Sequence, residues 1–251
     1  MYAVLFCLLI DCHIVLFVIE CHIILFVSAR HIVLFVSARY IVPFVIADHI
    51  ILLAIARHIV FFVIAYHIVQ LFSACHTVLF VIECHIVLHA IARHIVLFVI
   101  ARHTDLFASA RHIVLFASVR FIVLFVYALH TVLFISAYHI VLFVSARCTV
   151  PFLVAHHIVL FVIARHIAVF VSARHIVQLV SARHIVLFVS VRHIFFLCAR
   201  HIFLIANACR IILFLIECEI VRFATARHTV PFVIEYHTVL FCWCTPFCSV
   251  C

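Results

Sequence analysis

From position 13 to position 241 the chain repeats one arrangement of polar and apolar positions. With histidine as position one, the unit reads H-I-V-L-F-V-(S/I)-A-R, nine residues long. The consensus places an Arg-His pair at the junction, replaced in other copies by pairs such as Cys-His, Tyr-His or Arg-Tyr, and an almost wholly apolar run lies between junctions. Position one falls at His13, His22, His31, Tyr40 and His49, then every nine residues to His193. One residue is lost there, and the register resumes at His201, Arg210, Glu219, His228 and His237. This gives 26 slots, 21 of them histidine, with only His89 and His156 out of phase. Three segments follow from the pattern: an apolar leader at 1–12, the nonapeptide array at 13–241, and a Cys-rich tail at 242–251. No linker composition separates them.

A period of nine suits a helix poorly. Nine residues make two and a half helical turns, so successive Arg-His pairs fall on opposite sides and no apolar stripe forms. Ile, Val and Phe favour strands. An odd period would flip the faces of one continuous strand at every repeat, but a turn at each Arg-His pair resets the parity. Ile32, Leu34, Val36 and Ala38 then share one face, and Val33, Phe35 and Ser37 line the other. If ordered, the array is expected to be all-β, either a meander or a solenoid-like coil with two motifs per turn. Against the meander stands its turn chemistry, since two-residue hairpins favour Asn-Gly and similar pairs.

Composition narrows this further. The chain has no glycine, against about 18 at the usual frequency. It is 71% apolar and 10% charged, too little polar surface to coat a water-soluble particle. The alternative fold is therefore a set of hydrophobic membrane helices. Phe121 to Ala146 and His58 to Ile82 carry no Arg, Asp or Glu and exceed the ~20 residues a helical span needs. Windows with two arginines, such as His157 to Arg174, are close to balance, because each central Arg costs about 2.5–3.5 kcal/mol and each strong apolar residue returns about 0.3–0.6. The opening MYAVLFCLLI has the apolar character of a signal core but no positive start and no small-residue cleavage site. The net charge of +8 comes from arginines spread singly through apolar surroundings. No basic block stands out, so no nucleic-acid partner is expected, while a lipid bilayer and self-association are.

The substitutions between copies carry the most information. Position four, usually Leu, is Pro at 43, 151 and 231, Gln at 70 and 178, and Arg at 222. These four residues share codons that begin with C, end in a purine and differ only at the middle base. Position seven is Ser at 28, Ile at 46, Asn at 207 and Thr at 225, again middle-base variants of one codon. A packed strand should accept Val for Leu and resist Pro, Gln and Arg. The changes follow nucleotide distance with no visible filter for burial. Codons with a middle T all encode apolar residues, so a T-rich 27-base tandem unit supplies hydrophobicity by itself. The sequence is thus expected to be the translation of such a DNA array, with no defined biochemical function, either not expressed or found at a membrane. A membrane-embedded repeat protein and a His/Cys-bearing structural repeat are the alternatives.

Candidate chemistry is sparse. Zinc sites use closely spaced Cys and His, which a nine-residue interval does not supply. The tail Cys242, Cys244, Cys248 and Cys251 has the count for a tetrahedral thiolate site or two disulfides, but no second pair at a loop-forming distance. No paired carboxylates, nucleophile elbow or phosphate loop occurs, and the last two require glycine. Neither an enzyme nor a cofactor is expected.

Overall fold

A computed structural model describes the backbone of residues 4–197, 201–216, 219–234 and 238–242. Among these residues every position is extended except Ala92–Arg93 and Ala137–Tyr138. Six strands result: β1 Val4–Ile91, β2 His94–Ser136, β3 His139–Leu197, β4 His201–Ile216, β5 Glu219–Ile234 and β6 Thr238–Cys242. β1 has 88 residues and would run on the order of 290 Å if straight. It coils instead, and rings 18 residues apart within it lie face to face.

The fold is an all-β solenoid of parallel strands with an 18-residue coil, two nonapeptides per coil. β1 pairs with β2 in register from His76↔His94 to Ile91↔Ser109. β3–β4, β4–β5 and β5–β6 are parallel too. Of the two all-β forms anticipated, the solenoid is correct and the meander is not. The reason is turn chemistry: each strand pairs in parallel with the one a full coil away, so the chain bends at each corner without closing a two-residue hairpin, and hairpin glycine is dispensable. The lost residue before His201 is absorbed as one 17-residue coil, which pairs His184 with His201, after which the 18-residue spacing returns at His201↔Glu219.

The membrane-helix alternative is overturned. No helix among the described residues is long and apolar enough to cross a membrane. Both arginine-free windows, 58–82 and 121–146, are strand apart from Ala137–Tyr138. Their β-branched and aromatic residues are stiff against a preceding helical turn and pack well on a pleated surface.

The chain divides into two compact units, Met1–Ala128 and Leu129–Cys251. Each has the same cross-section. In the first, Ile32, Leu34 and Val36 of one motif and Ile41, Pro43 and Val45 of the next point inward and are buried. In the second, Ile140, Leu142 and Val144 do the same, as do Ile185, Leu187 and Val189. Positions two, four and six therefore make the core, with position eight beside the corner. Each such side chain contributes about 1.5–3 kcal/mol by leaving water. Positions nine and one both face outward, and this doubled outward pair resets the parity that an odd period would otherwise spoil. Positions three, five and seven form the outer walls. Phe26, Phe44, Phe62, Phe80 and Phe98 stack there at 4.6–4.9 Å, and Phe134, Phe152, Phe170 and Phe188 repeat the pattern in the second unit at 4.6–4.9 Å. These separations are the spacing of neighbouring strands.

Candidate functional site

Each coil has two corners, and the Arg-His pairs lie on them. In the first unit one corner stacks His13, His31, His49, His67, His85, His103 and Phe121 with ring centroids 4.7–5.0 Å apart. The other stacks His22, Tyr40, His58, His76, His94 and His112 at 4.7–5.0 Å. The second unit repeats both columns, with His139, His157, His175 and His193 at 4.9–5.0 Å and His166, His184 and His201 at 4.8–5.1 Å. The corner backbones are tied directly: the Arg93 N–H donates to the Cys75 carbonyl at 3.1 Å and the Arg111 N–H to the Arg93 carbonyl at 3.1 Å.

Stacking shapes the chemistry of these imidazoles. His85 titrates below its ordinary value because neighbouring rings displace water from it, and because His103, His67 and Arg102 add positive charge. His94 is lowered in the same way, first by lost hydration and then by His112, His76, Arg111 and Arg93. His175 follows, with His193, His157, Arg174 and Arg192 as its charged neighbours. Among the described residues no group of three or more His, Cys, Asp or Glu side chains is placed to hold a metal ion.

The cysteines are dispersed by the same geometry. Cys21 and Cys75 share one corner but stand three coils apart, about 14 Å at ~4.8 Å per coil. Disulfides require Cα atoms within about 7 Å, and Cys21, Cys75, Cys84 and Cys148 are thiols. Of the tail quartet, Cys242 ends β6. Cys244, Cys248 and Cys251 lie outside the described residues.

The interior holds a second set of polar groups. Gln70 and Gln178, at position four, are fully buried, and neither amide nitrogen nor amide oxygen has a hydrogen-bond partner among the described residues. Pro43 and Pro151 are buried at the same position. Substitutions that look incompatible with packing thus sit in the middle of the core. Position two behaves alike: Thr77, Thr104, Thr131 and Thr149 replace Ile, are buried, and leave their hydroxyls without partners. That pattern was legible in the sequence, since Ile and Thr codons differ at the middle base. Glu83, at position eight, is buried with both carboxylate oxygens unpartnered, and burial pushes its pKa from 4.5 up to about 9. Compared with protein-family models, curated proteins and solved structures, the chain finds no match in any of the three.

Proposed function

We propose that the chain is the translation of a tandemly duplicated 27-base DNA unit, with no biochemical activity of its own, and that when made it self-associates through its outer walls. One observation carries the first half. Position four is the centre of the core, with Leu79, Leu88, Leu97 and Leu106 all fully buried, and yet it holds Gln70, Gln178, Pro43 and Pro151. An unsatisfied buried amide costs about 1–3 kcal/mol. Selection for a packed protein would remove such residues first, whereas base changes in a DNA repeat would scatter them without regard to burial. The test is the coding DNA of the 26 units. Equal per-site rates of synonymous and nonsynonymous change are expected. A clear excess of synonymous change, or abundant native peptides ending in VSAR, would refute this origin.

The outer walls support the second half. Ile46, Ile64, Ile82 and Ile100 fall on four successive coils of one wall, each more than half exposed. They run beside the Phe44, Phe62, Phe80 and Phe98 column. Flat, apolar, regularly spaced walls of this kind pair with one another as in cross-β assemblies. Lipid is the rival occupant. Detergent-resistant aggregate that does not float with neutral phosphatidylcholine vesicles supports self-association, and monomeric flotation with those vesicles argues for a bilayer.

A further inference from the structure

The arginines are scattered in sequence and aligned in space. Position nine of every second motif comes to the same corner. In the second unit Arg147, Arg165 and Arg183 occupy one corner on three successive coils, and all three are exposed. In the first unit Arg39, Arg57, Arg93 and Arg111 share a corner, interrupted only by Cys75, and are likewise exposed. Among the described residues the Arg147–Arg165–Arg183 column has no acidic neighbour. No Asp or Glu occurs anywhere between Asp105 and Glu217. In the first unit Asp48 lies on the opposite corner, 4.0 Å from Arg30. Glu83 is buried beside that same opposite corner. Asp105 stands at position three of its motif, on an outer wall.

The charge density follows from the coil. Stacked rings at this corner repeat every 4.8–5.1 Å, so each column carries about one fixed positive charge per coil rise. Two unit charges in water interact by RT at about 7 Å. A linear polyanion carries condensed cations, and closely spaced fixed positive charges that neutralise its phosphates release them. Guanidinium groups match phosphate oxygens in a two-point contact. The rest of the corner argues against nucleic acid. Base recognition by single-strand binders uses open aromatic faces. Here His166, His184 and His201 cover one another's faces and turn only their edges outward.

We infer that the Arg147–Arg165–Arg183 column is a binding ridge for inorganic polyphosphate, a linear polyanion without bases. The ridge is a property of the folded coil and stands apart from the origin of the repeat. The test is equilibrium binding of labelled polyphosphate to the full chain over a salt series. The triple variant Arg147→Gln, Arg165→Gln, Arg183→Gln is compared with the equal-charge variant Arg30→Gln, Arg120→Gln, Arg174→Gln, whose sites never adjoin on one corner. Each lost phosphate contact removes about 0.7–0.9 from the slope of log affinity against log salt. The column variant is expected to lose about two to three in slope and at least tenfold in affinity, and the scattered variant less than one in slope. The single variant Arg165→Gln, mid-column, is expected to lose about one and guards against a triple variant that fails to fold. Equal losses in both triple variants would overturn the ridge and leave net charge as the sole cause. Binding of oligo(dT) as tight as polyphosphate at matched charge would overturn the assignment to a base-free chain.

Discussion

Single residues set the stability of this fold more by what they fail to satisfy than by what they bury. Gln70 stands on a row with Leu52 and Leu88, one coil below and one above, so its amide has only apolar neighbours along the coil axis. Gln70→Leu restores the consensus side chain and removes two unpartnered polar atoms. It is expected to stabilise the chain by about 1–3 kcal/mol, read as a higher denaturant midpoint, and Gln178→Leu should add a similar gain. The reverse change, Leu88→Gln, should cost about as much. Glu83 gives a pH signature. Its folded pKa of about 9 lies above the ordinary 4.5, so between these values the folded state holds a proton that the unfolded state has lost. Stability contributed by the neutral carboxyl is complete below pH 4.5 and falls as pH rises toward 9, by up to about 1.4 kcal/mol per pH unit. The difference in midpoint between wild type and Glu83→Gln across that range isolates the effect. A difference that stays flat with pH would show that Glu83 ionises normally.

At the scale of the strand and its corner, the histidine columns make the coil sensitive to acid. His85, His94 and His175 bind protons less readily when folded than their ordinary 6.5. Their contribution is therefore present above pH 6.5 and is lost as pH falls below it, because the unfolded chain takes up protons first. The array itself supplies the control. Tyr40 stacks between His22 and His58 at 4.9 and 4.7 Å, and Phe121 stacks on His103 at 5.0 Å, so an aromatic ring without a titrating nitrogen fits the column. His85→Tyr with His94→Tyr should leave the denaturant midpoint at pH 8 nearly unchanged and flatten its fall below pH 6.5. At this scale, too, the limits of sequence reading are visible. The alternation of Ile32, Leu34 and Val36 with a turn at each Arg-His pair was enough to read strands and which residues share a face, though not which face is inner. The choice between meander and solenoid was not, because it depends on whether a strand pairs with the next motif or the one after, and all motifs look alike. Position four misled for a related reason. Which face a residue occupies is fixed by the alternation common to every copy, so Gln70 and Pro43 are carried into the core by their neighbours. The Arg147, Arg165 and Arg183 column was hidden because 18 residues of sequence separate groups that one strand spacing separates in space.

Over the described residues the molecule pairs a parallel backbone ladder with walls that water solvates poorly. Polar side chains are confined largely to the corners, and between them the walls present Val, Phe and either Ser or Ile. The seventh position decides how apolar a wall is, since Ser28, Ser37, Ser109 and Ser118 hold it in some copies and Ile46, Ile64, Ile82 and Ile100 in others. These isoleucines face outward and are 51–57% exposed, so they add little to the core. Replacing all four with Ser uses a residue the array already accepts there. Strand content by circular dichroism should be unchanged and the denaturant midpoint should move little, because surface changes of this kind usually stay within about 0.5 kcal/mol each. Self-association should weaken strongly, seen as a several-fold longer lag in thioflavin T kinetics and a larger soluble fraction after sedimentation. If the tetra-Ser chain aggregates as fast as the parent, the wall is not the contact. Assembly would then proceed through the opposite wall, where Ile19, Ile55 and Ile91 are exposed, or through strand edges, which no side-chain change on a wall can block.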